Sequence, residues 1–274
     1  MVTPFDADGR IDEAAAVRLM RHLLDNGSDG LVLAGTTGEG STLDDAEKLR
    51  LWQLAKDECP EATLIAGTGS NDTAHTVHLT QQAGELGMDG MLVVTPYYNK
   101  PNPRGIKAHF QAAARVTDKP IVVYNIPSRC VVDIPNDLLR ELAEIPNVAA
   151  VKQARETDLQ PIDGLDLLAG NDDMLARVMD AGGTGGILVA SHLFGPEMRR
   201  IVEEPDARAE IDADLRDGYE ALSVTVNPIP VKTALALMGL IPDHFRLPMV
   251  PASEDEEATV RSMLERHGLL QAAV

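Results

Sequence analysis

The chain has 274 residues, 44% of them hydrophobic and only 3% aromatic, which describes a globular protein whose core is built from Leu, Val, Ile, Ala and Met. Asp and Glu number 43 against 24 Lys and Arg, and the net charge of −19 argues against nucleic acid and anionic membrane surfaces as partners. Two cysteines, Cys59 and Cys130, lack metal-like spacing and exclude a disulfide scaffold; the first ten residues carry no apolar signal-peptide core, and no apolar run approaches about 18 residues, so the cytoplasm is the default location.

Eight short apolar runs follow one another along the chain, at residues 2–5, 30–35, 63–69, 90–96, 120–127, 148–154, 165–170 and 186–191. Helix-length amphipathic stretches separate them. Continuous apolar runs alternating with helices predict parallel strands covered on both faces. Two entries into strands repeat one phrase, Asn26-Gly27-Ser28-Asp29-Gly30 and Leu86-Gly87-Met88-Asp89-Gly90, with a looser echo at Gly182-Gly183-Thr184-Gly185-Gly186. Each predicts a helix stopped by a left-handed glycine just before a strand. Eight such units predict an α/β fold of the (β/α)8 TIM-barrel type. A doubly wound open sheet is the runner-up, but the Gly-rich dinucleotide fingerprint after its first strand is missing. Beyond residue 193 only helical periodicity remains, with helices predicted near 207–224, 231–238 and 254–267. The division expected is a barrel over residues 1–205 and a C-terminal helical bundle over 206–274.

Barrel enzymes carry their chemistry at the C-terminal ends of the strands. Here those ends read Gly35-Thr36-Thr37-Gly38-Glu39, Thr95-Pro96-Tyr97-Tyr98-Asn99, Tyr124-Asn125 running into Pro127-Ser128-Arg129, Val151-Lys152, and Gly170-Asn171-Asp172. Of seven lysines, Lys152 alone interrupts a strand-like apolar run. Lost hydration lowers such an amine's pKa, and a free amine adds to carbonyls. A structural, ion-paired lysine is the alternative. Tyr97, Tyr98 and Tyr124 suit proton relays or simply a wet barrel rim. The Thr36-Thr37 turn suits carboxylate binding through N–H groups, or helix capping. Arg129 suits bidentate pairing with a substrate carboxylate, or a surface ion pair. His75 with His78 lacks a third metal ligand, Asp172-Asp173 reads as a helix cap, Glu39 as a base or a helix N-terminal charge, and Cys130 as a packing residue.

These motifs, in this order, resemble the dihydrodipicolinate synthase / N-acetylneuraminate lyase superfamily over essentially the whole chain. Asn227-Pro228-Ile229-Pro230-Val231-Lys232 and Arg246-Leu247-Pro248 resemble its dihydrodipicolinate synthase branch in particular. The resemblance implies a lyase of lysine and diaminopimelate biosynthesis that condenses pyruvate with L-aspartate 4-semialdehyde and uses no cofactor and no metal. It implies that Lys152 forms the imine, that Tyr124, Thr36 and Tyr98 relay protons with Tyr98 reaching in from a neighbouring subunit, and that Thr37 holds the pyruvate carboxylate in a pocket lined by the Ile187 backbone. It implies that Arg129 and the Gly170 turn receive the aldehyde, and that the chain assembles as a homo-oligomer, a dimer of dimers. An aldolase of sugar acids from the same superfamily is the nearest rival; a non-catalytic barrel is a third reading. Inhibited relatives carry a histidine and a carboxylate where this chain has Lys48 and His75, which implies insensitivity to L-lysine. Further departures are a first strand that begins almost at Met1, a short Lys152-to-Gly170 stretch that reduces its helix, Gln153 and Arg155 in place of the usual Glu and Thr, and Ala190-Ser191-His192 after the last strand.

Overall fold

The repeated glycine phrase ends helices as its composition predicts. Helix α1 (Glu13–Asp25) is N-capped by Asp12, whose side chain accepts from the Ala15 N–H. It is followed by Gly27 at φ +92° and by strand β1 (Gly30–Leu33). Helix α3 (Thr73–Glu85) gives way in the same manner to Gly87 at φ +83° and strand β3 (Gly90–Val94). An L side chain is costly at such angles. A second constraint acts at the first phrase: a Cβ on Gly27 would stand 2.8 Å from the Gly195 carbonyl oxygen, so only glycine allows the two backbones to meet.

The computed structural model describes residues 1–270, in two compact units. One unit joins residues 1–62 to the chain after 188. It holds α1, β1, α2 (Asp45–Glu58) and five C-terminal helices: α8 (Gly195–Glu203), α9 (Arg208–Asp214), α10 (Arg216–Ala221), α11 (Ile229–Leu237) and α12 (Glu254–Arg266). Capping boxes, Asp44 with Glu47 and Ser253 with Glu256, start α2 and α12. Helix α1 turns Ala15, Ala16, Leu19, Met20 and Leu23 into the core, each Leu or Met stabilising the fold by about 1.5–3 kcal/mol.

The other unit, Thr63–Leu188, is the parallel sheet that positions the site. Strands β2 (Thr63–Gly67), β3, β4 (Ile121–Asn125), β5 (Val148–Gln153), β6 (Asp166–Ala169) and β7 (Gly185–Gly186) pair in parallel and in chain order. Between them lie α3, α4 (Pro103–Ala114), the single turn α5 (Pro127–Cys130), α6 (Asn136–Ala143) and α7 (Leu175–Asp180). Asp89 of the repeated phrase pins β3 to β2: its carboxylate accepts from the Leu64 N–H and its own N–H donates to the Leu64 carbonyl.

Four expectations about the elements change. The run at 2–5 is not a strand; Phe5 makes one antiparallel bridge to Ile11, Pro4 has no N–H to give a ladder, and the Val2 N–H donates to His192 Nε2 instead. The run at 186–191 forms a strand only at Gly185–Gly186 and then a 3-10 turn over Ala190–His192. No helix links β5 to β6. Residues 154–165 form a polar loop with Pro161 inside it, so the helix expected to be reduced is absent. The predicted helix at 207–224 is present but broken at Leu215 into α9 and α10.

Candidate active site

Parallel pairing in register puts the side chains of partnered residues on one face. Tyr124 of β4, Lys152 of β5 and Leu168 of β6 are such a row. The Thr95 N–H and hydroxyl both donate to the Tyr124 carbonyl, at 3.0 and 2.9 Å, and fix that strand end. Lys152 Nζ lies 4.1 Å from the centre of the Tyr124 ring, and both side chains are buried. Burial strips the ammonium of water and brings its pKa from 10.5 down to about 8; Asp172 opposes this and Arg129 adds to it. The free-amine fraction at neutral pH rises about 300-fold over an ordinary lysine.

Arg129 projects from α5, the turn that leaves β4, and is exposed. Its charge is felt at Lys152. Gly170 closes the end of β6 against β5, its N–H donating to the Gln153 carbonyl at 2.8 Å. A Cβ there would stand 2.9 Å from that carbonyl group, so the close approach requires glycine. The Ile187 N–H is bound to the Ala169 carbonyl at 2.9 Å. Tyr98 sits at φ +72° with 87% of its surface exposed, beside Asn99, whose amide donates to the Asn71 carbonyl. Within this unit the structure therefore brings Lys152, Tyr124, Arg129 and Gly170 to one end of the sheet, and directs Tyr98 to solvent.

Thr36 and Thr37 belong to the other unit, on the turn after β1. The Gly38 and Gly40 N–H groups both bond to the Gly35 carbonyl at 3.1 Å, and Ala34 and Glu39 take left-handed angles of +56° and +51°. A Cβ on Gly40 would come within 2.1 Å of the Ala34 carbonyl oxygen, so the turn closes only with glycine at its end. Asn227 Nδ2 donates to Thr37 Oγ1 at 2.9 Å. A hydroxyl that accepts from an amide keeps its own proton for a different acceptor. Glu39 does not stand at a helix N-terminus, since α2 is capped by Asp44. It is buried and bound at 2.6 Å to Lys232, which also donates to the His244 carbonyl at 2.7 Å and lies 4.5 Å from the Phe5 and Phe245 ring centres. Burial lowers the Lys232 pKa while Glu39 opposes that shift. Arg246 forks onto Glu47.

Sequence reasoning missed three groups. Lys232 is as buried as Lys152, and its signal was a lysine inside the apolar helix 229–237. Asp172 acts electrostatically on Lys152 rather than merely starting the 3-10 turn. Asn227 reaches Thr37 across 190 residues of chain, which no local pattern signals. Cys130 is buried with its thiol pushed up to about 11, which makes it a packing residue and not a nucleophile. Among the described residues no cluster of three metal-ligating side chains forms, and no helix is long and apolar enough to cross a membrane.

A desolvated amine at the C-terminal end of a parallel strand, stacked on a tyrosine, is the hallmark of the Schiff-base-forming barrel lyases. The chain belongs to the dihydrodipicolinate synthetase family, whose sequence pattern matches residues 1–267. A curated relative, the 4-hydroxy-tetrahydrodipicolinate synthase of Moorella thermoacetica, is 41% identical over 98% of this chain and 97% of its own. The dihydrodipicolinate synthase structure from Bacillus anthracis superposes with a TM-score of 0.93 at 37% identity, covering 97% of this chain and 95% of that one. The structure from Cyanidioschyzon merolae with lysine bound gives 0.94 at 37% identity, covering 98% and 97%. The fold is accordingly the (β/α)8 barrel with a C-terminal helical region, and the chain is an enzyme of the lyase class.

Proposed function

We propose that this chain is a 4-hydroxy-tetrahydrodipicolinate synthase, which condenses pyruvate with L-aspartate 4-semialdehyde. The observation that carries the reading is the buried Lys152 amine against the Tyr124 ring, its pKa brought to about 8. The free amine attacks the ketone carbon of pyruvate; water leaves and an imine forms. Loss of a methyl proton gives the enamine, whose terminal carbon attacks the aldehyde. The amine of the second substrate then attacks the imine carbon, displacing Lys152 and closing the ring.

Tyr124, with Thr36 and with Tyr98 of a neighbouring subunit, moves the protons. Thr37 holds the pyruvate carboxylate, and the Ile187 backbone lines that pocket. Arg129 and the Gly170 turn receive the carboxylate of the aldehyde, and a guanidinium suits that short acid better than a polyol chain. A homo-oligomer, a dimer of dimers, completes the site through Tyr98, and no cofactor takes part.

The test is incubation with pyruvate, reduction with borohydride and mass analysis. One pyruvate should be fixed per chain, on the peptide containing Lys152, and none in Lys152→Ala. An adduct that survives in the variant removes Lys152 from its role. Product formation from the two substrates, run beside cleavage of 2-keto-3-deoxygluconate and N-acetylneuraminate, decides the second substrate. Sugar-acid cleavage without condensation would place the chain among the aldolases.

A further inference from the structure

The loop that carries Arg129 is closed by a polar clamp. Residues 126–134 leave β4, and the far end of the loop is tied back to Asn125, a fully buried side chain. The Ile134 N–H donates to Asn125 Oδ1 at 3.1 Å. Asn125 Nδ2 lies 2.9 Å from Asp133 Oδ1, 3.3 Å from the Ile134 carbonyl and 3.0 Å from Gln153 Oε1. Asp133 presents its other oxygen to Arg155 at 3.1 Å. Arg155 then donates at 2.6 Å to Asn136, the first residue of α6, and Asn136 donates to both the carbonyl and the carboxylate of Asp158. The Arg155 N–H also donates to Gln153 Oε1. Gln153 and Arg155 thus belong to one network, Gln153 through Asn125 and the Arg155 N–H, Arg155 through the Asp133 carboxylate.

Arg155 lies in the segment where the helix between β5 and β6 is missing, yet its side chain is only 11% exposed. It joins that helix-less loop, through Asp158 and Asn136, to the Arg129 loop, through Asp133. The Arg129 loop needs such support. Its one-turn helix ends at Val131, a β-branched residue held at φ +60° and 67% exposed, and a conformation so rarely adopted persists only where the surroundings fix it.

We infer that Arg155 is a positioning residue: through Asp133 and Asn125 it fixes the loop that aims Arg129 at the site. The inference rests on the reading of Arg129 as the receiver of the aldehyde carboxylate. It also has a consequence independent of any aldehyde, because Arg129 acts on Lys152. The groups around that amine are Tyr124 from β4, Arg129 from α5 and Asp172 from the turn after β6; of these, Arg129 favours the neutral amine and Asp172 the charged one. If Arg129 drifts away, the Lys152 pKa rises, and imine trapping needs a higher pH.

The experiment compares wild type, Arg155→Met, Arg129→Ala and the double variant. Two readouts are taken: the KM for L-aspartate 4-semialdehyde, and the pH midpoint of borohydride trapping with pyruvate. Arg155→Met should raise the aldehyde KM at least about tenfold, since its hydrogen bonds to charged partners fall in that range. It should move the trapping midpoint upward, as Arg129→Ala does, and add little in the double variant. Equal multiplicative losses in the two backgrounds, or a midpoint that moves in Arg129→Ala and stays put in Arg155→Met, would overturn the inference. So would a lower melting temperature with both readouts unchanged. If Arg129→Ala leaves the aldehyde KM alone but moves the midpoint, the substrate reading fails and the midpoint alone decides Arg155. If it moves neither, both fall. Should Arg155→Met not fold, Asp133→Asn cuts the same link at nearly constant shape and should act in the same direction.

Discussion

Burial and a positive neighbour push the Lys152 amine the same way, and Asp172 alone opposes them. The rate of imine trapping should therefore rise about tenfold per pH unit in acid and level off near pH 8. A plateau reached only near pH 10 would mean that the amine is hydrated and ordinary. Lys152 was legible in the sequence because a lysine among Val148, Ala149, Ala150 and Val151 has no surface to reach. Lys232 shows the limit of that logic: it too is buried but answers to Glu39, and only the fold tells a lysine paired with a carboxylate from one set against a tyrosine ring. Asn227 bears on the residue scale as well. It donates to Thr37 and so leaves the Thr37 proton for another acceptor, which under the proposed function is the pyruvate carboxylate. Asn227→Asp has nearly the same shape, but an ionised Asp only accepts; it would take that proton and set a like charge nearby. The pyruvate KM should rise about tenfold or more while the aldehyde KM stays within about twofold. An unchanged pyruvate KM in a folded Asn227→Asp protein would show that the contact is structural only.

At the scale of elements, the strands at 30–35, 63–69, 90–96, 120–127, 148–154 and 165–170 were readable because apolar runs and left-handed glycines are local signals. What failed was also local in appearance. The run at 2–5 has the composition of a strand, but Pro4 and the Val2 bond to His192 send its backbone elsewhere. The short spacing and Pro161 foretold a reduced helix between β5 and β6, not a missing one; its replacement by the Arg155 clamp could not be foreseen, because Asp133 and Asn136 come from a different βα unit. The buried pair between α11 and the turn after β1 is a similar long-range feature. Removing one partner of such a pair leaves an uncompensated buried charge, so Lys232→Ala should destabilise the protein by about 3–5 kcal/mol. Adding Glu39→Gln should recover part of that loss, because the orphaned charge goes with it. Denaturant midpoints of the two variants settle the point: additive losses would mean that the pair is not coupled.

At the scale of the whole molecule, charge and exposure bear on regulation and assembly. Lys48 is buried on α2, and burial lowers its pKa while Asp45 and Asp44 raise it. An ammonium already present there should repel a cationic effector by about 1–4 kcal/mol at ~4 Å. Initial rates measured against added L-lysine at constant ionic strength should stay flat; saturable inhibition would show the charge argument to be wrong. Tyr98 poses the question of assembly. It is 87% exposed within its own chain and held at φ +72°, a sparsely populated backbone angle for a tyrosine. Under the proposed function a neighbouring subunit takes up that ring, and the hydroxyl serves a second copy's site. The consequence is complementation. Tyr98→Phe lacks the donated hydroxyl but keeps its own Lys152; Lys152→Ala lacks the nucleophile but keeps a Tyr98 to lend. In a hybrid of the two, one site combines an intact Lys152 with an intact Tyr98 from across the interface, and the other site has neither. Random pairing of equal amounts makes about half of the dimers hybrid, each with one working site of two, so recovered activity should approach about a quarter of wild type. Subunit exchange is verified beforehand by mass spectrometry of differently tagged chains. Recovery near a quarter supports a shared site, whereas verified hybrids with no activity above the parent variants would confine Tyr98 to its own subunit.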